Sequence, residues 1–411
     1  MGGTVLRGKL LRKIFRPAPV ENSLSLSSTL SLWASHLGSE SKSKARLRDF
    51  QDAIMKKVPS YAEKSNVITS EGLNQWHFHN SKCRNVTVPT LLLHGFASSS
   101  MSFFRNFTGL SQDIMDLYAI DLPANGLSRS LSTKFYRVSP KETRKFDMLD
   151  DIHFQLLSHG NYHAEKELIQ KCEDYYIDTI ERWRRSNELH KINIVAHSFG
   201  GYLSFKYALK YPESINKLCL VSPLGVEANI YSINNNFNVG ETYTVNRLDP
   251  SSCCYINENE IPKYVFDNLF KILRLSGPIG AKLCWNYVLS SYSRISSLDF
   301  KRYVFELLYG KGGMTATAIN LFTQLFTTRL LARDPLMDSA HSLSCNGILL
   351  LYGEYDWMAK NAGKSLLTNC KADNKGSASK TKYLEVPKSG HNLFLDNPAF
   401  FNKSIAEFLS E

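Results

Sequence analysis

Lys191-Ile-Asn-Ile-Val-Ala-His-Ser-Phe-Gly-Gly-Tyr202 is the stretch from which the rest of the 411-residue chain is read. Ile192 to Val195 has the composition of a short buried strand. From near Gly201 to Tyr211 the pattern turns helical, and Pro212 stops it. Between the two, Ala196-His-Ser-Phe-Gly200 must turn sharply. A serine between a strand end and a helix start, with very small residues two before and two after, is the pattern of a nucleophile elbow. The small flanks are needed because the serine backbone is strained and the two arms of the turn nearly touch. Ala196 stands where glycine is usual; it keeps the small size and gives up some backbone freedom. By itself the stretch also fits an ordinary strand-to-helix turn, so its surroundings decide.

Upstream, Pro89–Ser98 reads as a buried strand breaking into a His94-Gly95 loop, and Leu117–Gly126 as a strand with an acidic, Pro/Gly-rich exit. Ser132–His163 is a polar insertion of mixed charge. Ala164–Leu189 is a predicted helix with Leu168, Cys172, Tyr176, Ile180 and Trp183 in one apolar stripe. Downstream come a strand at Lys217–Ser222, then strands at Gly347–Tyr352 and Thr381–Val386 and a closing helix over Asn397–Leu409. Strands alternating with helices predict a mostly parallel α/β sheet. From about Gly225 to Asp334 the alternation is interrupted by an aromatic-rich, helix-like stretch with no clear buried strand. It reads either as an apolar lid over the strand ends, suited to an apolar substrate, or as a plain helical subdomain. The expected organisation is a core in two parts, 70–224 and 336–411, around an insertion at 225–335. No internal repeat is present.

Acyl transfer needs a nucleophile, a base, an acid to orient the base, and donors for the oxyanion. Ser198 supplies the nucleophile. After the strand Ile348–Tyr352, Gly353-Glu-Tyr-Asp-Trp357 places Asp356 in the loop where the acid belongs; Glu354 is the weaker candidate, being too close to the strand end. After the last strand, Lys388-Ser-Gly-His-Asn392 places His391 at the same sheet edge. Serine, acid and histidine in that order, each just after a strand, weigh more than the elbow alone. The oxyanion donors are the backbone N–H groups of Phe199 and of Phe96, with Gly95 allowing close backbone approach. His197 is expected to point to the opposite side of the turn and to serve packing or hydrogen bonding. Asp121 is expected to be structural.

At 43% hydrophobic and 12% aromatic the chain can bury a large core, which excludes a disordered protein. Its net charge of +11 invites an anionic partner. Residues 1–48 carry nine Lys/Arg and two acids, hence +7, leaving +4 for the rest. That balance argues against nucleic acid and for peripheral association with an anionic membrane. No apolar run approaches the ~20 residues that span a bilayer. Residues 5–16 form a predicted amphipathic helix, with Leu6, Leu10, Leu11, Ile14 and Phe15 opposite Lys9, Arg12, Lys13 and Arg16. No acid precedes Glu21, and serine-rich sequence follows. This start reads as a mitochondrial presequence, or else as a retained surface-binding helix. Leu6 disfavours myristoylation of Gly2. Residues 39–60 read as a polar linker helix. The eight cysteines show no zinc spacing and are expected to be buried free thiols. His77 and His79 face one side of a strand, but no third ligand is near in sequence, so they are taken as structural and no metal site is assigned.

His94-Gly-Phe-Ala-Ser, Asp121-Leu-Pro-Ala-Asn-Gly, Ala196-His-Ser-Phe-Gly-Gly, Gly277-Pro-Ile-Gly280 and Ser389-Gly-His-Asn-Leu-Phe-Leu-Asp-Asn-Pro398 together resemble one α/β-hydrolase subfamily. It is that of the mammalian lipid-droplet co-activator of triglyceride lipase. Its fungal members, a mitochondrial cardiolipin-specific deacylase and a lysophosphatidic acid acyltransferase among them, are more similar still. The resemblance covers most of residues 70–410 and not the N-terminus. It implies an α/β-hydrolase fold with a helical lid and phospholipid acyl chemistry without a cofactor. It also implies Ser198 as nucleophile, Asp356 as acid and His391 as base. Some members of the subfamily lack the serine, and its presence here favours catalysis over a purely regulatory role. Together with the predicted presequence, the resemblance favours cardiolipin as substrate, and the presequence makes the matrix face of the inner mitochondrial membrane the expected place. His391-Asn-Leu-Phe-Leu-Asp396 also matches the H-x4-D pattern of glycerolipid acyltransferases. In a hydrolase frame His391 is the triad base and Asp396 is expected to cap the closing helix. The alternatives to hydrolysis are acyl transfer from acyl-CoA to lysophosphatidic acid, for which no glycine-rich phosphate cradle is evident, and non-catalytic lipid binding.

Overall fold

The computed structural model describes residues 25–131, 144–371 and 380–411. The predicted helix at 5–16 and the first part of the polar insertion, 132–143, lie outside them. The described strands are β1 (Glu63–Ile68), β2 (Asn74–His79), β3 (Thr90–Leu93), β4 (Asp116–Ile120), β5 (Lys145–Met148), β6 (His153–Ser158), β7 (Ile192–His197), β8 (Ile215–Val221), β9 (Thr242–Thr244), β10 (Gly347–Gly353) and β11 (Thr381–Val386). Eight of them form one sheet in the order β1-β2-β4-β3-β7-β8-β10-β11. β2 runs antiparallel to β1 and β4, and the other pairings are parallel.

The central strands are near-continuous apolar runs because helices cover both faces of the sheet. β7 and β10 are buried along their whole length. On one face the helices Tyr162–Ser186 and Phe199–Lys210 pack, with Cys172, Tyr176, Ile180 and Trp183 in the core against Ile194 and Leu220. On the other, Phe107 and Phe401 from the helices Phe107–Asp113 and Pro398–Ser410 meet Val195 and Leu349. All eight cysteines are unpaired, and six of them are buried.

The interruption between β8 and β10 carries the helices Lys263–Leu275, Gly277–Ser291, Leu298–Tyr309 and Ala316–Leu325. Ser297 and Thr315 cap the last two through their side-chain oxygens. The segment also contains the short strand β9, none of whose residues is buried; it pairs antiparallel with β6, and β5-β6-β9 form a small separate sheet. The hairpin β5-β6 packs with the inserted segment, Phe154 and Leu156 clustering with Ile230, Phe237 and Val245. One expectation changes here. The helix Glu40–Lys57 is not a linker: it packs along Leu298–Tyr309, with Leu47, Ile54 and Met55 buried. The helix Leu26–Ser35 packs on Gly277–Ser291.

Candidate active site

Parallel strands deliver their C-terminal ends to one edge of the sheet, and three loops meet there. β7 ends in the elbow. Ser198 has φ 53° and ψ −114°, a sparsely populated conformation for a residue with a side chain. Neighbouring backbone holds it: its N–H donates to the Val221 carbonyl at 2.9 Å, and its own carbonyl accepts from Leu224 N at 3.1 Å. The helix begins at Phe199 rather than near Gly201, so the Phe199 N–H stands at a helix N-terminus, free of an intrahelical acceptor. The crowding falls on one flank. A Cβ at Gly200 would lie 2.5 Å from the His94 carbonyl oxygen, whereas Ala196 is accommodated as a regular residue of β7. A Cβ at Gly95 would lie 3.0 Å from Ser198 Cβ, which places the Phe96 loop directly beside the serine.

β10 ends in the loop that carries Asp356, and β11 in the loop that carries His391. His391 Nδ1 donates to Asp356 Oδ1 at 3.2 Å, which fixes the imidazole and leaves Nε2 as its other face. The Asp356 side chain is shut off from solvent. Burial pushes its carboxyl pKa up, but hydrogen bonding to His391, the His391 charge and the Ser222 hydroxyl outweigh burial and bring it down to about 2. Asp356 is thus ionised at any ordinary pH. Ser222 was not foreseen from sequence. It follows β8 with φ 45° and donates its hydroxyl to Asp356 Oδ2. The one signal for it was its place at the end of the strand that neighbours β10. Glu354 is turned to the outside, where it accepts from Lys388 N at 2.7 Å.

Two further histidines hold the loops. His94 Nε2 accepts from Leu122 N at 2.8 Å, so the proton is on Nδ1, which donates to the Gly95 carbonyl at 2.7 Å. Burial lowers its pKa, keeping it neutral. His197 does not point away from the site: its ring lies 4.6 Å from that of His391 and its Nε2 donates to the His391 carbonyl at 3.0 Å. Burial, followed by the nearby His391 charge, lowers its pKa well below the usual value. Asp121 is enclosed and accepts four bonds, from Ser100 N and Oγ, Leu127 N and Asn74 Nδ2.

Asp396 departs from expectation. It does not cap the closing helix; Asn397 does, accepting from Phe400 N. Asp396 Oδ2 instead accepts from Gly390 N at 2.9 Å and lies 3.7 Å from the guanidinium of Arg294. In the H-x4-D pair, then, the acid braces the backbone beside His391, and the imidazole itself is held by Asp356.

The lid supplies an aromatic wall. Phe96 stacks on Phe322 with ring centroids 3.8 Å apart, and Phe199 meets Phe322 and Phe326 edge-on. Phe270 and Phe266 extend the wall. Both candidate oxyanion residues therefore turn their rings to this aromatic wall.

This geometry agrees with comparisons to known proteins. The alpha/beta hydrolase fold family matches residues 88–398. The chain belongs to that family. This α/β-hydrolase is 49% identical to "Protein ECM18" of Saccharomyces cerevisiae over 99% of its own length and 89% of that protein's. It is 43% identical to the yeast "1-acylglycerol-3-phosphate O-acyltransferase ICT1" over 89% of its own length and 93% of the other's. Among solved structures, carboxylesterase CesB from Bacillus subtilis superposes with a TM-score of 0.53 at 16% identity, covering 90% of this chain and 98% of that one. The last is a likeness of fold.

Proposed function

We propose that this α/β-hydrolase removes fatty acyl chains from phospholipids by a Ser198–His391–Asp356 triad, with cardiolipin as substrate. The observation that carries the reading is the Asp356–His391 hydrogen bond at the same sheet edge as the strained Ser198. Ser198 Oγ attacks the ester carbonyl while His391 Nε2 takes its proton, and the N–H groups of Phe96 and Phe199 receive the oxyanion. His391 then protonates the departing glycerol oxygen, leaving an acyl-enzyme. Water, deprotonated by the same histidine, releases the fatty acid. The aromatic wall of Phe96, Phe322 and Phe266 suits the acyl chain.

A second reading has a specific observation in its favour, the name of the 43% identical yeast relative. The hydroxyl of lysophosphatidic acid would replace water, and acyl-CoA would be the donor. A lipid-binding regulator without catalysis is the third. Purified wild type and Ser198→Ala separate them, assayed for fatty acid release from cardiolipin and for acyl-CoA-dependent phosphatidic acid synthesis. We expect release to fall at least ~1,000-fold in the variant, since loss of a triad member removes most of the rate. Release that survives in the variant rejects the hydrolase. Synthesis that needs His391 and Asp396 but not Ser198 favours the transferase. Lipid binding without turnover in wild type favours the regulator. The proposed location is the matrix face of the inner mitochondrial membrane, and it rests on the sequence of residues 5–16. A fluorescent fusion lacking residues 1–20 is expected to stay outside mitochondria; its import would reject the location.

A further inference from the structure

At the other end of the sheet from Ser198, the fold brings together three side chains that the chemistry above does not use. His77 and His79 are alternate residues of β2, and Asp116 is the first residue of β4. The ladder pairs His79 with Asp116 and His77 with Tyr118, so all four residues project from one face. The third ligand that was missing near the two histidines in sequence thus comes from the adjacent strand. His77 Nε2 lies 2.9 Å and His79 Nδ1 2.8 Å from one and the same oxygen, Asp116 Oδ1. The three donor atoms fall within 4.8 Å of one another. The His77 ring is set by stacking on Tyr118, with centroids 4.2 Å apart and planes 2° from parallel.

We infer that His77, His79 and Asp116 form a binding site for a borderline divalent cation, with zinc the best match. Two imidazoles and one carboxylate are a zinc-type donor set, and they leave a fourth position for water. The nitrogens disfavour calcium and magnesium, which take oxygen. Neighbouring ligands around a tetrahedral zinc are about 3.3 Å apart for bonds of ~2.0–2.1 Å. The present N···O separations are about half an ångström shorter, so the ligands need only spread slightly to admit the ion. The side chains are partly open, at 25%, 42% and 22% exposure, which gives an ion access. β2 lies between β1 and β4, so the ligands stand on sheet backbone rather than on loops. Because Asp116 opens β4 whereas Ser198, Asp356 and His391 follow strand ends, the ion would clip β2 to β4 and take no part in ester chemistry.

The test uses the untagged full chain, stripped with a chelator and titrated with Zn²⁺ by calorimetry. His77→Gln, His79→Gln and Asp116→Asn are titrated alongside. We expect a single ion bound by wild type and a thermal midpoint that rises with zinc. Each variant should lose at least the ~10–100-fold in affinity that even an outer-sphere partner is worth. The substituted amides retain hydrogen-bonding capacity on β2 and β4, and midpoints measured without metal report whether each variant folds. Titration of wild type with Co²⁺ reads the ligand set independently, through the visible absorption of a low-coordinate site, which His77→Gln should abolish. Fatty acid release should be unchanged in the variants. No binding in wild type, or affinity equal in all four proteins, overturns the site.

Discussion

Ser222 leaves β8 with φ 45°, and in that conformation its hydroxyl reaches Asp356 Oδ2. Asp356 Oδ1 meanwhile receives His391 Nδ1 and Met358 N. The carboxylate is thus held from both oxygens, and in the proposed triad Ser222 positions the acid that positions the base. A hydrogen bond to a charged group contributes ~1.5–3 kcal/mol. Ser222→Ala should therefore lower kcat about tenfold with KM unchanged, because it loosens the triad without touching bound lipid. Equal kinetics in steady-state ester hydrolysis would remove Ser222 from that role. The places of Ser198, Asp356 and His391 after strand ends could be read from sequence because each follows an apolar run that breaks at a glycine or proline. The partner of Ser222 could not be read in this way: it is 134 residues away and meets the serine only because β8 and β10 are neighbours. Asp396 was misplaced for a related reason. Its position just before a helix suggests a cap, but the local choice went to Asn397, and a backbone N–H six residues back claimed Asp396.

Among the elements, the pairing of Glu40–Lys57 with Leu298–Tyr309 ties the N-terminal helices to the lid. Its polar centre is Glu306, whose side chain is 1% exposed. Glu306 accepts from Ser43 Oγ at 2.5 Å, from His36 Nε2 at 2.7 Å and from Arg46 Nε at 2.9 Å. Burial pushes the Glu306 pKa up, but these donors outweigh it and hold the carboxyl below its ordinary value. Removing one partner of a buried charged cluster strands the others, at a cost of ~3–5 kcal/mol. Glu306→Ala should show a loss of that size in urea unfolding and should expose the segment 25–57 to protease before the core. Coincident loss of core and segment in both assays would count against separate detachment. The helix was legible but its partner was not. Leu47, Ile54 and Met55 give only a thin stripe among charged residues, and the surface that receives it lies some 260 residues away. β9 escaped notice because three residues are too few to show a strand period. The long buried strands and amphipathic helices of the core, by contrast, were placed to within a few residues, because burial on both faces writes itself into the sequence as unbroken apolar runs.

Taken as a whole molecule, the net charge of +11 is unevenly held. Residues 1–48 account for +7, and +4 remains for the other 363 positions. Within the described part of that N-terminal region, Lys44 pairs with Glu40 and Arg46 with Glu306, so those cations are already engaged by the protein. The cations best able to meet an anionic surface are Arg7, Lys9, Arg12, Lys13 and Arg16, which precede the first acid, Glu21. No helix among the described residues is long and apolar enough to cross a membrane. Each Lys or Arg near an anionic bilayer is worth ~1 kcal/mol, and five amount to several thousandfold in partition at low salt. Screening shortens their reach from ~10 Å at 0.1 M salt to ~3 Å at 1 M. Sedimentation with cardiolipin-containing vesicles should therefore show binding that falls at least ~100-fold when residues 1–24 are removed, and that weakens steeply as salt is raised. Uncharged phosphatidylcholine vesicles should bind both proteins alike and weakly. If the shortened chain binds anionic vesicles as well as the full one does, the attraction belongs to the globular part, and its modest surplus of charge would have to be gathered on one face.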